Sequence, residues 1–329
     1  MKRLLIIRFS ALGDVAMLVP VVRALAATYP DWDITVLSRK QTAPLFEGLA
    51  GNIHYFGADL RGRHHGIAGL NTLLQDMDYR QFDLVADMHN VLRSKYLRFR
   101  FFLSGKHIAA IRKGRLSKWW LTRTHNVSHP LPTTIERYCN VLSRLGFTVS
   151  LQPATSTETA TPSPKAGIGI APFAAHAGKI YPLEKMEEVV RLLSGQGEKI
   201  YLFGAGEKEK AVLHDWETRY PNVESLAGRY TMAEEIDRMR SLRLMLTMDS
   251  ANMHLASIAG TRVLSVWGAT HPAAGFLGYG QSPADCIQLA LPCRPCSVYG
   301  NKPCRFGEYY CLDIDPAYVV SRINKALCE

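Results

Sequence analysis

Residues 3–28 read RLLIIRFSALGDVAMLVPVVRALAAT. The apolar run Leu4-Leu5-Ile6-Ile7 is too short for a helix and suits a strand buried on both faces of a parallel sheet. Arg8 to Asp14 follows as a turn carrying one glycine and one carboxylate. Val15, Leu18, Val21, Val22 and Leu25 then recur at the spacing of a single helix face. Strand, glycine-bearing turn and helix, in that order, place functional groups at the carboxyl end of a parallel sheet. Asp14 falls at the start of the helix, where two roles are open: a charge favoured by the helix dipole, or a catalytic carboxylate.

The same alternation continues outward. DITVLS (33–38) and DLVAD (83–87) predict strands, and 67–77, 90–103 and 134–145 predict helices. QPATSTETATPSP (152–164) is poor in large apolar residues and ends in two prolines, which predicts a linker. Beyond it the strands 165–172, 199–206, 243–249 and 261–268 alternate with helices 183–193, 207–220 and 251–259. An amphipathic helix over 316–327 closes the chain and is free to pack back on the first half. The expectation is an α/β protein of two Rossmann-like domains, 1–151 and 165–329, with mostly parallel sheets facing across a cleft.

Composition narrows the class. With 47% hydrophobic and 21% charged residues, the 329-residue chain reads as a globular enzyme. Arg8 and Asp14 interrupt the apolar start too early for a signal peptide, and no run reaches the roughly 20 apolar residues of a membrane span. A cytoplasmic location is expected. The net charge of +10 is uneven: residues 1–150 carry +11 and the remainder −1. No carboxylate occurs between residues 88 and 135, a stretch with ten Lys or Arg from Arg93 to Arg123. Such a surface attracts nucleic acid, anionic lipid headgroups or phosphorylated sugars.

Three strand ends of the second half carry polar groups. Lys179, in the loop after the strand near 170, can meet a phosphate. The Gly204-Ala205-Gly206-Glu207-Lys208-Glu209 turn lets a ligand approach the backbone, and a glutamate there can hold a ribose diol or cap the helix. Asp249-Ser250-Ala251, with His254 one turn on, joins a carboxylate to the free amides of a helix start. Cys293, Cys296, Cys304 and Cys311 crowd into 19 residues. In a cytosolic chain that favours a structural zinc site or buried, redox-paired thiols over disulfide staples.

Taken in order, RFSALGDV, HNVLRS (89–94), ERY (136–138), the Lys179 loop, GAGEKE and DSANMHLAS…GTRVLSVWGATHP resemble glycosyltransferase family 9, the ADP-heptose:lipopolysaccharide heptosyltransferases. The resemblance implies the two-domain GT-B fold and inverting, metal-independent transfer of heptose from ADP-heptose. By position, Asp14 is then the general base and Lys179 neutralises the leaving diphosphate. Glu207 or Glu209 holds the ribose, and Tyr230 and Thr231 line the adenine pocket. Asp249 binds the transferred sugar, with Ser250 and Ala251 amides near the phosphates and His254 close by. The acceptor, an anionic glycolipid at the inner-membrane surface, is expected at Ser10, Arg61, Arg63 and Arg93; no nucleic acid is expected. The sequence departs from the family at Ala174 and Ala175, where hydroxyls are common, and at Ser250-Ala251, where Thr-Gly is usual. Rival readings are a sister enzyme with another nucleotide sugar, a binding module in which Asp14 is dispensable, and a dinucleotide oxidoreductase. The last lacks G-x-G-x-x-G in its first loop.

Overall fold

The computed structural model describes residues 2–151 and 165–329; the expected linker 152–164 lies outside them. The described residues form two compact units, one of 2–113 and 134–151, the other of 114–133 and 165–329. The stretch Gly114–Thr133, expected with the first half, therefore clusters with the second.

The first unit runs β1 (Lys2–Ile7), α1 (Leu12–Ala16), α2 (Val19–Thr28), β2 (Trp32–Arg39), β3 (Ile53–Ala58), α3 (Gly66–Asp76), β4 (Leu84–Asp87), α4 (Leu92–Leu103) and β5 (His107–Ala110). All five strands are parallel, in the order β3-β2-β1-β4-β5. Leu4 to Ile7 are fully buried, as a central strand covered on both faces requires. The single helix expected after them is two. Pro20 has no N–H for the carbonyl four residues back, so the ladder stops after α1 and restarts with the proline in the first turn of α2. Val15, Leu18, Val21, Val22 and Leu25 are nonetheless all buried.

The chain then contributes α5 (Arg115–Thr124) to the second unit and returns to the first for α6 (Thr134–Ser143). The second unit continues with β6 (Ile168–Ala171), α7 (Leu183–Gly195), β7 (Ile200–Leu202), α8 (Glu207–Arg219), β8 (Val223–Ser225), α9 (Met232–Arg240), β9 (Leu244–Met248), α10 (Ala251–Ile258), β10 (Val263–Val266), β11 (Cys286–Ile287) and α11 (Pro316–Cys328). Its six strands are parallel, in the order β11-β10-β9-β6-β7-β8. The closing helix is built into this unit's own core. Asp315 caps it by accepting from Ala317 N at 2.9 Å, and Val319, Val320 and Ile323 are buried beside α7.

Each unit has its own hydrophobic cluster, one around Leu5, Leu73 and Phe101, the other around Met186, Trp216 and Leu264. In both sheets the strand order reverses next to the first strand of the unit, between β1 and β4 and between β6 and β9. That point opens a crevice at the strands' carboxyl ends.

Candidate functional sites at the strand ends

In the first unit the crevice residues come from the loops after β1 and β4. Arg8 leaves β1 into a buried position. It forms an ion pair with the Asp14 carboxylate, donates to Met88 O at 2.6 Å, and stands 5.8 Å from the Tyr138 ring. Tyr138 donates its hydroxyl to Asp14 O at 3.0 Å, and burial pushes that phenol well above its ordinary range. The Asp14 carboxylate, about a quarter exposed, is thus held from one side and open on the other. Ser10 Oγ lies 3.3 Å from His89 Nε2. Burial, and then the charge of Arg8, hold His89 down at about 3, so its imidazole is neutral at physiological pH. Asp87, fully buried at the end of β4, accepts from the amides of His89 and Asn90 at 2.9 and 2.8 Å and fixes this second loop. Arg98 Nε lies 3.3 Å from its other oxygen.

The other residues expected to face an acceptor are dispersed. Arg61 is exposed in the turn after β3, an edge strand two positions from β1, or about 10 Å across the sheet. Arg63 in the same turn is committed to Asp76, with both bonds at 2.7 Å, and His64 adds a contact to the same carboxylate at 3.0 Å. Asp76 is held well below the usual carboxylate range by Arg63 and then His64. Arg93 is exposed in the first turn of α4.

In the second unit the crevice lies between β6 and β9. Lys179 ends a single 3₁₀ turn after β6, and its ammonium meets Asp249 Oδ2 at 2.8 Å. Thr270, fully buried beyond β10, donates to the same oxygen at 2.8 Å. Ser250 stands just before α10 with its Oγ 3.2 Å from Thr247 Oγ1 and no side-chain bond to the first turn; Ala251 opens the helix, and His254 is buried on it.

Beside these lie the loops after β7 and β8. Glu209 accepts from Ala205 N at 2.8 Å and so closes its own turn, whereas Glu207 is exposed and pairs with Lys210 at 2.9 Å. Thr231 caps α9 in a reciprocal arrangement with Glu234, and Tyr230 lies 5.4 Å under the Arg238 guanidinium. The sheet order therefore sets Asp249, Lys179, Glu207 with Glu209, and Tyr230 with Thr231 in a row along β9, β6, β7 and β8.

The cysteine loop holds the four sulfurs that suggested either a structural zinc or buried, redox-paired thiols. Cys293, Cys296, Cys304 and Cys311 are free thiols, and among the described residues no three His, Cys, Asp or Glu converge as metal ligands. The loop is organised by Arg294 instead. Its buried guanidinium donates to Trp267 O at 3.0 Å, Thr270 O at 2.9 Å and Gln288 Oε1 at 3.0 Å, and also to the carbonyls of Gly268 and Leu289. Gly178 N donates to Gly300 O at 3.2 Å, and Gly178 O accepts from Ala269 N at 2.8 Å, so the loop also braces the Lys179 turn. Burial pushes the Cys311 thiol up to about 11. Thr270, Arg294 and His89 carry no role in the sequence reading. Thr270 sits just past a buried strand, a signal that was available; Arg294 binds mostly carbonyls, which no residue pattern displays.

Among known proteins, the model for glycosyltransferase family 9 (heptosyltransferase) matches residues 71–309. Lipopolysaccharide heptosyltransferase 3 of Escherichia coli is 26% identical over 278 residues, which are 78% of this chain and 81% of the relative. Two solved structures share the fold. A family 9 glycosyl transferase from Veillonella parvula superposes with a TM-score of 0.74 at 20% identity, over 99% of this chain and 97% of the other. The E. coli ADP-heptose LPS heptosyltransferase II superposes with a TM-score of 0.69 at 19% identity, over 100% and 99%.

Proposed function

The chain belongs to glycosyltransferase family 9 and is a glycosyltransferase, and from that premise we propose that it moves heptose from ADP-heptose to an inner-core lipopolysaccharide acceptor, with inversion and without a metal. The observation that carries the donor is the row along the second sheet. Strands about 4.8 Å apart put roughly 15 Å between the Asp249 and Tyr230 ends. Asp249, Lys179, the Glu207 turn and Tyr230 then follow the order of sugar, diphosphate, ribose and adenine in an extended nucleotide sugar. E. coli heptosyltransferase II, which shares the fold, is described as an ADP-heptose enzyme.

In the reaction, the acceptor hydroxyl oxygen attacks C1 of the heptose while the bond from C1 to the diphosphate oxygen breaks. Asp14 takes the hydroxyl proton, and Arg8 keeps that carboxylate in one orientation. The electron pair leaves with ADP, whose charge Lys179 neutralises in the manner of a preorganised cation. When the diphosphate draws Lys179 away, Thr270 still holds Asp249 Oδ2, and Oδ1 accepts a sugar hydroxyl. Ser10 helps to place the acceptor beside Asp14. A second reading, a different nucleotide sugar on the same machinery, is favoured by Ala174 and Ala175, which supply no hydroxyls ahead of Lys179.

Calorimetric titration with ADP-heptose, ADP, UDP and NAD tests the donor, and the expected outcome is binding of the first two only. A preference for UDP moves the donor, and no nucleotide binding leaves a non-catalytic module. Asp14→Asn is expected to keep donor affinity and lose on the order of 10²–10⁴-fold in turnover; wild-type turnover in that variant removes Asp14 as the base.

A further inference from the structure

Helix α5, RLSKWWLTRT, carries Leu116, Trp119, Trp120 and Arg123 at i, i+3, i+4 and i+7, the spacing of one helix face. On an ordinary surface helix that apolar stripe packs inward. Here the buried residues are Lys118, whose ammonium is 4.0 Å from the Phe276 ring centre, and Leu121. Leu116, Trp119 and Trp120 are 84%, 57% and 61% exposed. The stripe continues into a groove of about 510 Å³ walled by Trp119, Trp120, Thr124, His129 and Leu131. Arg115 and Arg123 are exposed on the same helix, within the 48-residue stretch 88–135 that holds no carboxylate. In the first unit, α4 repeats the composition, with Leu92, Phe99 and Phe102 exposed among Arg93 and Lys95.

We infer that α5 is an interfacial anchor that docks on an anionic phospholipid surface. Trp119 and Trp120 occupy the headgroup boundary, Leu116 enters the acyl region, and Arg115 and Arg123 meet lipid phosphates. Ten residues span about 15 Å, half a bilayer core, so the helix lies in the interface. No helix among the described residues is long and apolar enough to cross a membrane. The charge also separates lipid from a second copy of the chain. A two-fold contact through this face brings Arg115 and Arg123 against their own equivalents, with no acidic residue on α5 to receive them. The purpose of the anchor rests on the glycolipid acceptor proposed above; its existence is tested without that acceptor.

The full chain is sedimented with vesicles of phosphatidylethanolamine and phosphatidylglycerol, and with vesicles of phosphatidylcholine. Binding to the anionic vesicles, weakened by salt, is expected. Leu116→Ser/Trp119→Ser/Trp120→Ser is expected to lower that partition by about tenfold or more while ADP-heptose titration is unchanged. Brominated acyl chains are expected to quench tryptophan fluorescence in the wild-type chain, a readout that needs no variant. Absence of quenching, equal partition of wild type and variant, or equal binding to both vesicle types overturns the anchor. A wild-type dimer that the triple substitution dissociates, with no vesicle binding, assigns the face to a second copy. Preferential capture of single-stranded nucleic acid by the same face also overturns it. Lost vesicle binding with intact donor binding leaves the transfer reaction standing, and the converse removes the reaction while the anchor holds.

Discussion

Asp249 Oδ2 receives two donors, Lys179 Nζ and Thr270 Oγ1, each at 2.8 Å, in a position 3% exposed. A buried carboxylate in that setting depends on both, and only one of them is free to follow a phosphate. Thr270→Val keeps the shape and removes the hydroxyl donor, which costs about 1–2 kcal/mol of stability. In the proposed reaction Oδ1 of Asp249 receives the sugar and Thr270 fixes the carboxylate through Oδ2, so the variant is expected to bind ADP-heptose several-fold more weakly and ADP as before. An equal loss for both ligands, read by calorimetry, would detach Thr270 from the sugar. Asp14, Lys179 and Asp249 were legible in the sequence because each is a charge placed just beyond a buried apolar strand. Arg294 was not, because its partners beyond Gln288 are the carbonyls of Trp267, Gly268, Thr270 and Leu289, and the cysteines around it suggested a metal. A guanidinium with several planar donors can satisfy such a carbonyl cluster; thiols cannot.

At the scale of elements, the strands that the pattern revealed are the interior ones of the two sheets, β1, β2, β4, β6, β7, β9 and β10. It missed β3 and β5, which lie at the edges of the first sheet with only one buried residue each, and β8 and β11 at the edges of the second. Half-exposed edges such as β3 and β5, and edges of only two or three residues such as β11 and β8, lack the apolar run that marks a central strand. Helix α9 was missed as well, since its nine residues bury only Ile236 and Met239. That helix carries a titrating group. Burial pushes Glu235 up to about 7 from an ordinary value of 4.5. Below the ordinary value the carboxyl is protonated in both folded and unfolded chains, so burial costs nothing through ionisation. Between 4.5 and about 7 the unfolded chain ionises while the folded one keeps its proton, and stability falls. Above that window the penalty is constant. Glu235→Gln is therefore expected to raise the melting temperature above pH 7 and to leave it nearly unchanged below pH 4.5. A gain of the same size at both ends of the range would show that the carboxyl does not titrate as its burial dictates.

For the whole molecule, two parallel sheets could be read from the alternation of strands and helices, because each β-turn-α unit declares itself locally. The placement of Gly114–Thr133 with the second unit could not, since a segment's partner is decided by packing and not by its own composition. Charge, by contrast, is fully legible, and it separates the two ligands. Residues 1–150 carry +11 and the rest −1, with Arg61 and Arg93 exposed on the first unit. A phosphorylated acceptor drawn to the first half feels a field spread over solvent-facing side chains, which salt screens strongly. In the proposed reaction the donor meets Lys179, whose side chain is 15% exposed, and a charge so covered is screened much less. Raising NaCl from about 0.05 to about 0.5 M shortens the screening length from roughly 14 to 4 Å. The acceptor KM is then expected to rise about tenfold or more, while the donor KM moves by less than about twofold. Should both constants rise in parallel, the basic half would be only a solvated surface, and the acceptor would have to be held by contacts that salt does not reach.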